Sequence, residues 1–431
     1  MALTTIKTAA IADDAVTTDK LANAINTERT ANTAKTSLED NSVTLAKMAG
    51  GTDGQIITYD ASGDPVAVGP GTDGQVLTST GAGSPPAFET IVSSDTLSFR
   101  NLIINGAFQI AQRGTSSTSQ GIKTVDRWQY GGGGFDENPT QAQHALTSSD
   151  TGPWGKGFRY SYHITNGNQT GGAGAADYMD IQHRIEAQDI AQSGWDYTSA
   201  SSYITLSFWV RSSVAQNFYG YLRSRDGTNQ RYGFETGSLS ADTWTKITKT
   251  IPGNSNIQFD NNNAEGLRVV FSTFLGTDYT ASGTNLNTWE AYSSSTITPD
   301  HTSTWWTTND ATFEITGVQL EPGSTATEFE HRSHGDEERR CCRYYRTILS
   351  NDGLFLPSVR TTSAGQYRFY TFTFPEMRDA PTATGTFETD TTYQSGFPSM
   401  SRITKNNAQA LGHLDSDGLA YMDLLVLESE L

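Results

Sequence analysis

Cysteine is nearly absent from this chain: it has 2, and they are neighbours, Cys341 and Cys342. A disulfide framework is therefore excluded, because a bridge between adjacent residues is strained, and buried reduced thiols are expected. No apolar run reaches the length of about 18 residues that a membrane-spanning helix needs, so no membrane insertion is expected. The opening segment MALTTIKTAAIADDAV carries no basic stretch followed by an apolar one, so no secretory signal is expected. Positive charge is scarce as well. Lys and Arg number 29 against 47 Asp and Glu, leaving a formal net charge of −18. Such a surface repels the phosphate backbone and anionic membranes, which excludes nucleic acid as a partner. Hydrophobic residues make up 35% of the 431 residues and mean hydropathy is −0.48. The apolar deficit is greatest before about residue 98, where the segment alone cannot offset its chain entropy.

Catalytic signatures are missing too. There is no Gly-x-Ser-x-Gly elbow, no phosphate loop and no His-Glu-x-x-His pair. Carboxylate pairs can be drawn at Asp180 and Glu186 or at Glu314 and Glu321, but 47 acidic residues supply such pairs by chance. His331, His334, Asp336, Cys341 and Cys342 do not complete a four-ligand zinc set. The run Gly131–Gly134 reads as a flexible turn, since no helix with a lysine follows it. No catalytic residue, cofactor or metal site is assigned, and no enzyme activity is expected.

What is present is glycine, 41 of it, with long runs of Ser, Thr and Asn between short apolar alternations. That pattern reads as mainly β. Residues 1–50 carry a weak repeat, with Asp13–Ala22 echoed by Asp40–Ala49, around an Ala-rich, helix-prone stretch from Leu21 to Leu38. Ile11, Val16, Leu21, Val43 and Met48 are its few apolar contacts. Such sparse units become stable only against copies or a host structure. A sharper repeat follows, GTDGQIIT at 51–58 and GTDGQVLT at 71–78. Thr-Asp-Gly makes a turn in each, and Gln-Ile-Ile-Thr and Gln-Val-Leu-Thr make strands. Pro65–Val68 and Pro86–Phe88 are further extended pieces. Three copies wound about one axis would bury Ile56, Ile57, Val76 and Leu77, so 51–97 reads as a trimeric shaft.

Alternation lengthens after residue 98. Leu102–Ile104 and Phe108–Ile110 read as opening strands, and Phe158–Ile164 places Phe158, Tyr160, Tyr162 and Ile164 on one face. In Tyr203–Arg211, Ile204, Leu206, Phe208 and Val210 oppose Tyr203, Thr205, Ser207, Trp209 and Arg211. Thr243–Ile247, Leu267–Phe274 and Phe313–Leu320 continue the series, which is the signature of a sandwich or jelly roll. His334–Thr347 is the clearest helix candidate, with acids first, arginines later, and Cys341, Tyr344 and Tyr345 facing inward. Tyr367–Phe374, Thr382–Thr392 and Tyr421–Leu427 read as strands of a last small unit.

Two blocks carry a family resemblance. Residues 101–128, NLIINGAFQIAQRGTSSTSQGIKTVDRW, occur with residues 313–346, FEITGVQLEPGSTATEFEHRSHGDEERRCCRYYR. Together they resemble the distal region of tail fibres of tailed bacteriophages (marine podophage-like), whose jelly-roll domain resembles carbohydrate-binding modules. FPEMRDAPT at 374–382 resembles fibre tips. The resemblance implies a virion-attachment segment at 1–50, a repeat shaft at 51–97, a jelly roll at 98–335, and a linking helix with a C-terminal β tip at 336–431. It implies a homotrimer, made in the host cytoplasm, joined to tail adaptor or nozzle proteins and binding host surface polysaccharide without catalysis. A head fibre or a polysaccharide depolymerase are the alternatives. Ile11, Val16, Leu21, Val43 and Met48 become the anchor. In this family Asp126-Arg127-Trp128 reads as structural, the residues permitting an ion pair beside an aromatic face. Glycan contacts are expected from loop aromatics, first Trp305 and Trp306 with Asp300, His301 and Asn309 nearby, then Trp154 and Trp289. At the tip they are expected from Tyr393, Phe397, Met400 and Arg402.

Overall fold

The computed structural model describes residues 25, 27–28, 30–31, 50–90, 100–349, 354–355, 367–389, 399–413 and 420–431. Ile11, Val16, Leu21, Val43, Met48, Tyr393 and Phe397 lie outside the described residues. The chain divides into two units, Met1–Ser93 and Ser94–Leu431.

In the first unit, Ile25, Thr27, Glu28, Thr30 and Ala31 are helical and exposed. The eight-residue repeat gives one hairpin per copy. Strand β1 (Ile56–Tyr59) pairs antiparallel with β2 (Pro65–Val68), and β3 (Gln75–Thr78) with β4 (Ala87–Thr90). The preceding turn recurs atom for atom. Gln55 Oε1 accepts from Thr52 N and Gln75 Oε1 from Thr72 N, each at 2.7 Å. Gly54 and Gly74 take φ of 80° and 85°, the left-handed conformation that only glycine adopts without strain. Two strands cannot enclose anything, so Ile57, Tyr59 and Leu77 remain 55%, 66% and 43% exposed.

The second unit is built on two six-stranded antiparallel sheets. Its strands are β5 (Ser116–Ser117), β6 (Trp128–Gly133), β7 (Thr140–Ala145), β8 (Tyr160–Thr165), β9 (Tyr178–Glu186), β10 (Tyr203–Ser212), β11 (Asn217–Ser224), β12 (Gln230–Ser238), β13 (Thr245–Pro252), β14 (Glu265–Leu275), β15 (Trp289–Ala291) and β16 (Thr312–Pro322). One sheet runs β13-β10-β16-β8-β7-β5 and the other β15-β12-β11-β14-β9-β6. The chain changes sheet repeatedly, from β8 to β9, back to β10 and again to β11, as a jelly-roll sandwich requires.

The two-residue period decides what lies between the sheets. Ile204, Leu206, Phe208 and Val210 point inward from β10 and are fully buried. They meet Leu222, Phe234, Val269 and Phe271 of the facing sheet in one core, with the Phe208 and Phe271 rings 4.8 Å apart, edge to face.

Three local expectations are corrected. Leu102–Ile104 and Phe108–Ile110 form no strand, because Asn105 and Phe108 take φ of 60° and 56° and break the extended path. Ile103, Phe108 and Ile110 are nevertheless buried. The Gly131–Gly134 run is largely strand, with Gly131, Gly132 and Gly133 in β6 paired to β9. A Cβ on Gly132 would stand 2.2 Å from the Phe135 ring and 2.5 Å from the Tyr178 carbonyl, so glycine is used there for close approach. Asp126 and Arg127 are not each other's partners. Asp126 lies 3.6 Å from Arg113, whereas Arg127 pairs with Glu430 and stacks on Tyr344.

The C-terminal helix spans His334–Cys341, with Ser333 Oγ capping Asp336 N at 3.2 Å. It stops short of Thr347 because Tyr345 opens strand β17 (Tyr345–Leu349), paired with β23 (Ala420–Glu428). The remaining strands are β18 (Leu354–Phe355), β19 (Tyr367–Thr373), β20 (Thr382–Thr389), β21 (Ser399–Thr404) and β22 (Asn407–His413). Phe372, Phe374, Met377, Ala408, Ala410, Leu425 and Leu427 form their core. This region is tied to the sandwich. Glu186 accepts from Arg343 Nε at 2.7 Å and Nη2 at 2.8 Å and from the Tyr344 hydroxyl. Bidentate arginine–carboxylate geometry of this kind fixes orientation as well as charge.

Candidate functional site

The outward positions of β10 define the face that is open to a ligand. Trp209 projects from β10 opposite the core residues, beside Lys246 of β13 and Thr316 of β16 in the strand register. The loop before β8 and the segment after β16 rise around it. Phe158, Ser207, Trp209, Gly317, Thr327 and Phe329 form the walls of a shallow groove of about 100 Å³, and Lys156, Lys246, Glu328 and His331 form its polar rim. Trp209 is half-buried and lies against Gly152, where a Cβ would meet the indole at 2.7 Å. Trp154 and Trp244, also half-buried, extend the aromatic surface; Arg159 stacks over Trp154 at 3.9 Å and Arg211 over Trp244 at 4.8 Å.

One rim contact orders the groove. Lys156 Nζ reaches Glu328 Oε1 at 3.2 Å, both side chains being mostly exposed. Hydrogen bonding from Lys156 draws the Glu328 carboxyl below its ordinary value. The His331 ring lies 2.8 Å from the Lys156 carbonyl, closing the end.

Farther along the same face a second constellation appears. Arg211 donates to Glu314 Oε1 from Nε at 3.1 Å and Nη2 at 2.7 Å, and to Asp150 Oδ1 from Nη1 at 2.8 Å. Trp244 Nε1 donates to Asp150 Oδ1 at 3.2 Å and Ser161 Oγ to Glu314 Oε2 at 2.7 Å. His144 Nδ1 lies 3.1 Å from Glu314 Oε2. Burial alone would raise the Glu314 carboxyl, but His144, His163 and Arg211 outweigh it and hold it well below the carboxylate range. The hydrogen bond to Glu314 in turn raises His144.

The residues proposed from the sequence fall unevenly on this map. Trp305 and Trp306 are fully buried, which removes them as glycan contacts. They form a short helix that plugs one end of the sandwich, with Trp306 stacked 5.3 Å from Phe135 and its Nε1 donating to the Gly172 carbonyl. Trp289 is buried against Tyr232 with Nε1 on the Pro252 carbonyl, and is removed for the same reason. Asp300 and His301 do line an open cavity of about 220 Å³ with Thr280 and Ser303. Burial depresses the His301 imidazole to about 4. Asn309 and Arg402 are exposed. Trp154 alone among the proposed tryptophans belongs to the aromatic face. Trp209 and Trp244 are the residues that the sequence reading missed, although β10 alternation had already put Trp209 on the side away from the core.

The carboxylate pairs do not converge. Asp180 and Glu186 share β9 six residues apart, which at about 3.3 Å per residue separates them by roughly 20 Å, and Glu314 and Glu321 stand about as far apart on β16. Glycosidase pairs are about 5–9.5 Å apart. His331, His334, Asp336, Cys341 and Cys342 do not come together as ligands; among the described residues, His144, His163 and Glu314 do.

The described second unit is thus a jelly-roll sandwich with one sheet face carrying half-buried tryptophans and charged rims. No protein-family model and no curated protein matches the chain. Among solved structures it is similar to the enzymatically active domain of tailspike protein 4 from bacteriophage CBA120, at 10% identity and TM-score 0.27, over 55% of this chain and 23% of that one. It is also similar to the N-terminal cellulose-binding domain of Cellulomonas fimi β-1,4-glucanase C, at 9% identity and TM-score 0.25, over 51% and 99%. A family 11 carbohydrate-binding module of a Clostridium thermocellum cellulosomal cellulase matches at 11% and 0.23, over 51% and 98%. The chain spans less than a quarter of the tailspike domain, and TM-scores of this size assign neither fold nor activity to it.

Proposed function

We propose that this chain is a homotrimeric tail fibre of a tailed bacteriophage, which attaches the particle to its host by non-catalytic binding of surface glycan. The observation that carries the binding reading is the outer face of β10. Trp209, Trp154 and Trp244 offer flat apolar surface, and Lys156, Lys246 and Glu328 surround it with hydroxyl-binding groups. A pyranose ring has the same two-sided character, apolar C–H faces and a polar hydroxyl rim. A groove this shallow suits weak contacts multiplied by chain number, since avidity grows with linked sites without any new contact.

The trimer rests on the hairpins, whose Ile57, Tyr59 and Leu77 need a partner surface that neither two-stranded piece supplies. Residues 1–50 would join tail adaptor or nozzle proteins, and the mature location would be the virion tail.

Calorimetric titration of purified full-length protein with host surface polysaccharide tests the reading. Saturable binding is expected, weakened on the order of tenfold by Trp209→Ala, the loss of about 1.4 kcal/mol of aromatic contact. Equal binding by the variant would remove this face from the site, and release of reducing ends would overturn the non-catalytic reading.

A further inference from the structure

The outer face of β8 and β7 brings together two imidazoles and a carboxylate that no binding role described above uses. His163 of β8 stands opposite Glu314 of β16, and His144 of β7 lies one step along the same face. The ligating atoms of His144, His163 and Glu314 all fall within 4.8 Å of one another. Ligands of a tetrahedral ion with bonds of about 2.0–2.1 Å lie roughly 3.4 Å apart. His144 Nδ1 is 3.1 Å from Glu314 Oε2 and His163 Nδ1 is 3.4 Å from Glu314 Oε1, so little movement is needed.

His163 supplies the observation that points to a cation. Its Nε2 lies 3.1 Å from Thr165 Oγ1, while its Nδ1 is buried and makes no hydrogen bond. When the ring proton sits on Nε2 and is directed at Thr165, Nδ1 presents a lone pair toward Glu314 Oε1, 3.4 Å away, and a cation between the two would stabilise that arrangement. The Thr165 contact is also the outer hydrogen bond that fixes a metal-bound imidazole in one orientation. Arg211 shares Glu314 with the site, donating to Oε1 from Nε at 3.1 Å and Nη2 at 2.7 Å. Its charge is offset by Asp150, which accepts from Nη1 at 2.8 Å, so Glu314 keeps a carboxylate charge for an entering ion.

We propose that His144, His163 and Glu314 bind a divalent transition-metal ion of the zinc class. Imidazole donors select zinc, copper, nickel and cobalt over calcium and magnesium. Three protein ligands leave a fourth position, and the His144 side chain, 47% exposed, opens it to solvent on the face that carries Trp244 and Trp209.

The test is calorimetric titration of the untagged full-length chain with zinc chloride, repeated with cobalt(II) while following visible absorption. One ion per chain is expected, with the intense d–d bands of a four-coordinate cobalt site. His144→Ala and His163→Ala should each weaken binding at least tenfold, and His334→Ala, on the exposed helix, should not change it. His144 is exposed enough for its variant to fold, and a thermal melt checks this. Absence of saturable binding, several weak ions per chain, or affinity indifferent to His144→Ala would overturn the proposal.

Discussion

The hairpins of 51–90 and the sandwich strands use the same alternation of apolar and polar residues, and their apolar side chains meet opposite fates. Ile57 of β1 is 55% exposed, whereas Ile204 of β10 is 0% exposed. Strand propensity and turn chemistry are equally good in both, since the Thr-Asp-Gly turns close with the expected glycines and side-chain caps. The difference is the second layer. A strand's apolar face is worth about 25 cal/mol per Å² only when something covers it, and β10 has a facing sheet where β1 has solvent. The hairpins are complete in geometry and incomplete in energy, which is why the proposed partner is another copy of the same chain.

The contrast can be broken most forcefully from the sandwich side. Trp128 is fully buried, packs 4.9 Å from Phe108 and donates from Nε1 to the Asn105 carbonyl at 3.1 Å. Trp128→Ala should cost about 3–5 kcal/mol in denaturant unfolding, while Tyr59→Ala should leave the sandwich transition unchanged. Equal effects would mean that the two regions fold as one.

From the hairpin side, the proposed trimer predicts a sedimentation mass of three chains that Ile57→Asp with Leu77→Asp reduces to one without moving the sandwich melt. A mass that stays at three chains would place the contacts elsewhere, and a single-chain mass for the unaltered protein would overturn the trimer.

A smaller effect separates the two outer faces of the sandwich by pH. Asp180 lies under the loops that cover the second sheet, and burial pushes its carboxyl up to about 7. The folded state therefore keeps a proton that the unfolded chain has lost, so the Asp180 contribution to stability is greatest below about pH 4 and falls as pH rises toward 7. Asp180→Asn should flatten most of that slope, leaving the part due to Asp126, raised to about 6. Glu314, on the open face, has the opposite sign. Its carboxyl is held low, so its contribution is present above its unfolded value and lost in acid. Glu314→Gln should reduce the acid sensitivity and, by releasing His144 from its raised value, also change the slope near neutrality.

How much of this was legible in the sequence follows from the range of each interaction. Turns and alternation are local, so the repeats, the inward face of β10 and the strands β8, β14 and β16 could be read directly. The helix start at His334 was legible from the order of its charges, but its end depended on β23, some eighty residues away. The tryptophans show the limit. Trp305 and Trp306 lie in a polar segment that looks exposed until Phe135 and Phe274 are brought against it. Conversely, Trp209 lies in a core-forming strand and is half-open because nothing covers that face completely. His144, His163 and Glu314 are far apart in sequence, and only the β7–β8–β16 register makes them neighbours.

That register has a further consequence for how the chain is made. In the first sheet β16 occupies the place between β10 and β8, so Thr316 meets Tyr160 across 156 residues. Until residue 322 has left the ribosome, β8 and β10 have no common neighbour, and each keeps a bare edge of unpaired backbone groups. The large loop must be closed before the contacts that reward it can form, which slows folding. Bare edges are also where strands of separate chains join wrongly. The central strand is synthesised last of the twelve, and the sandwich is most vulnerable just before it arrives.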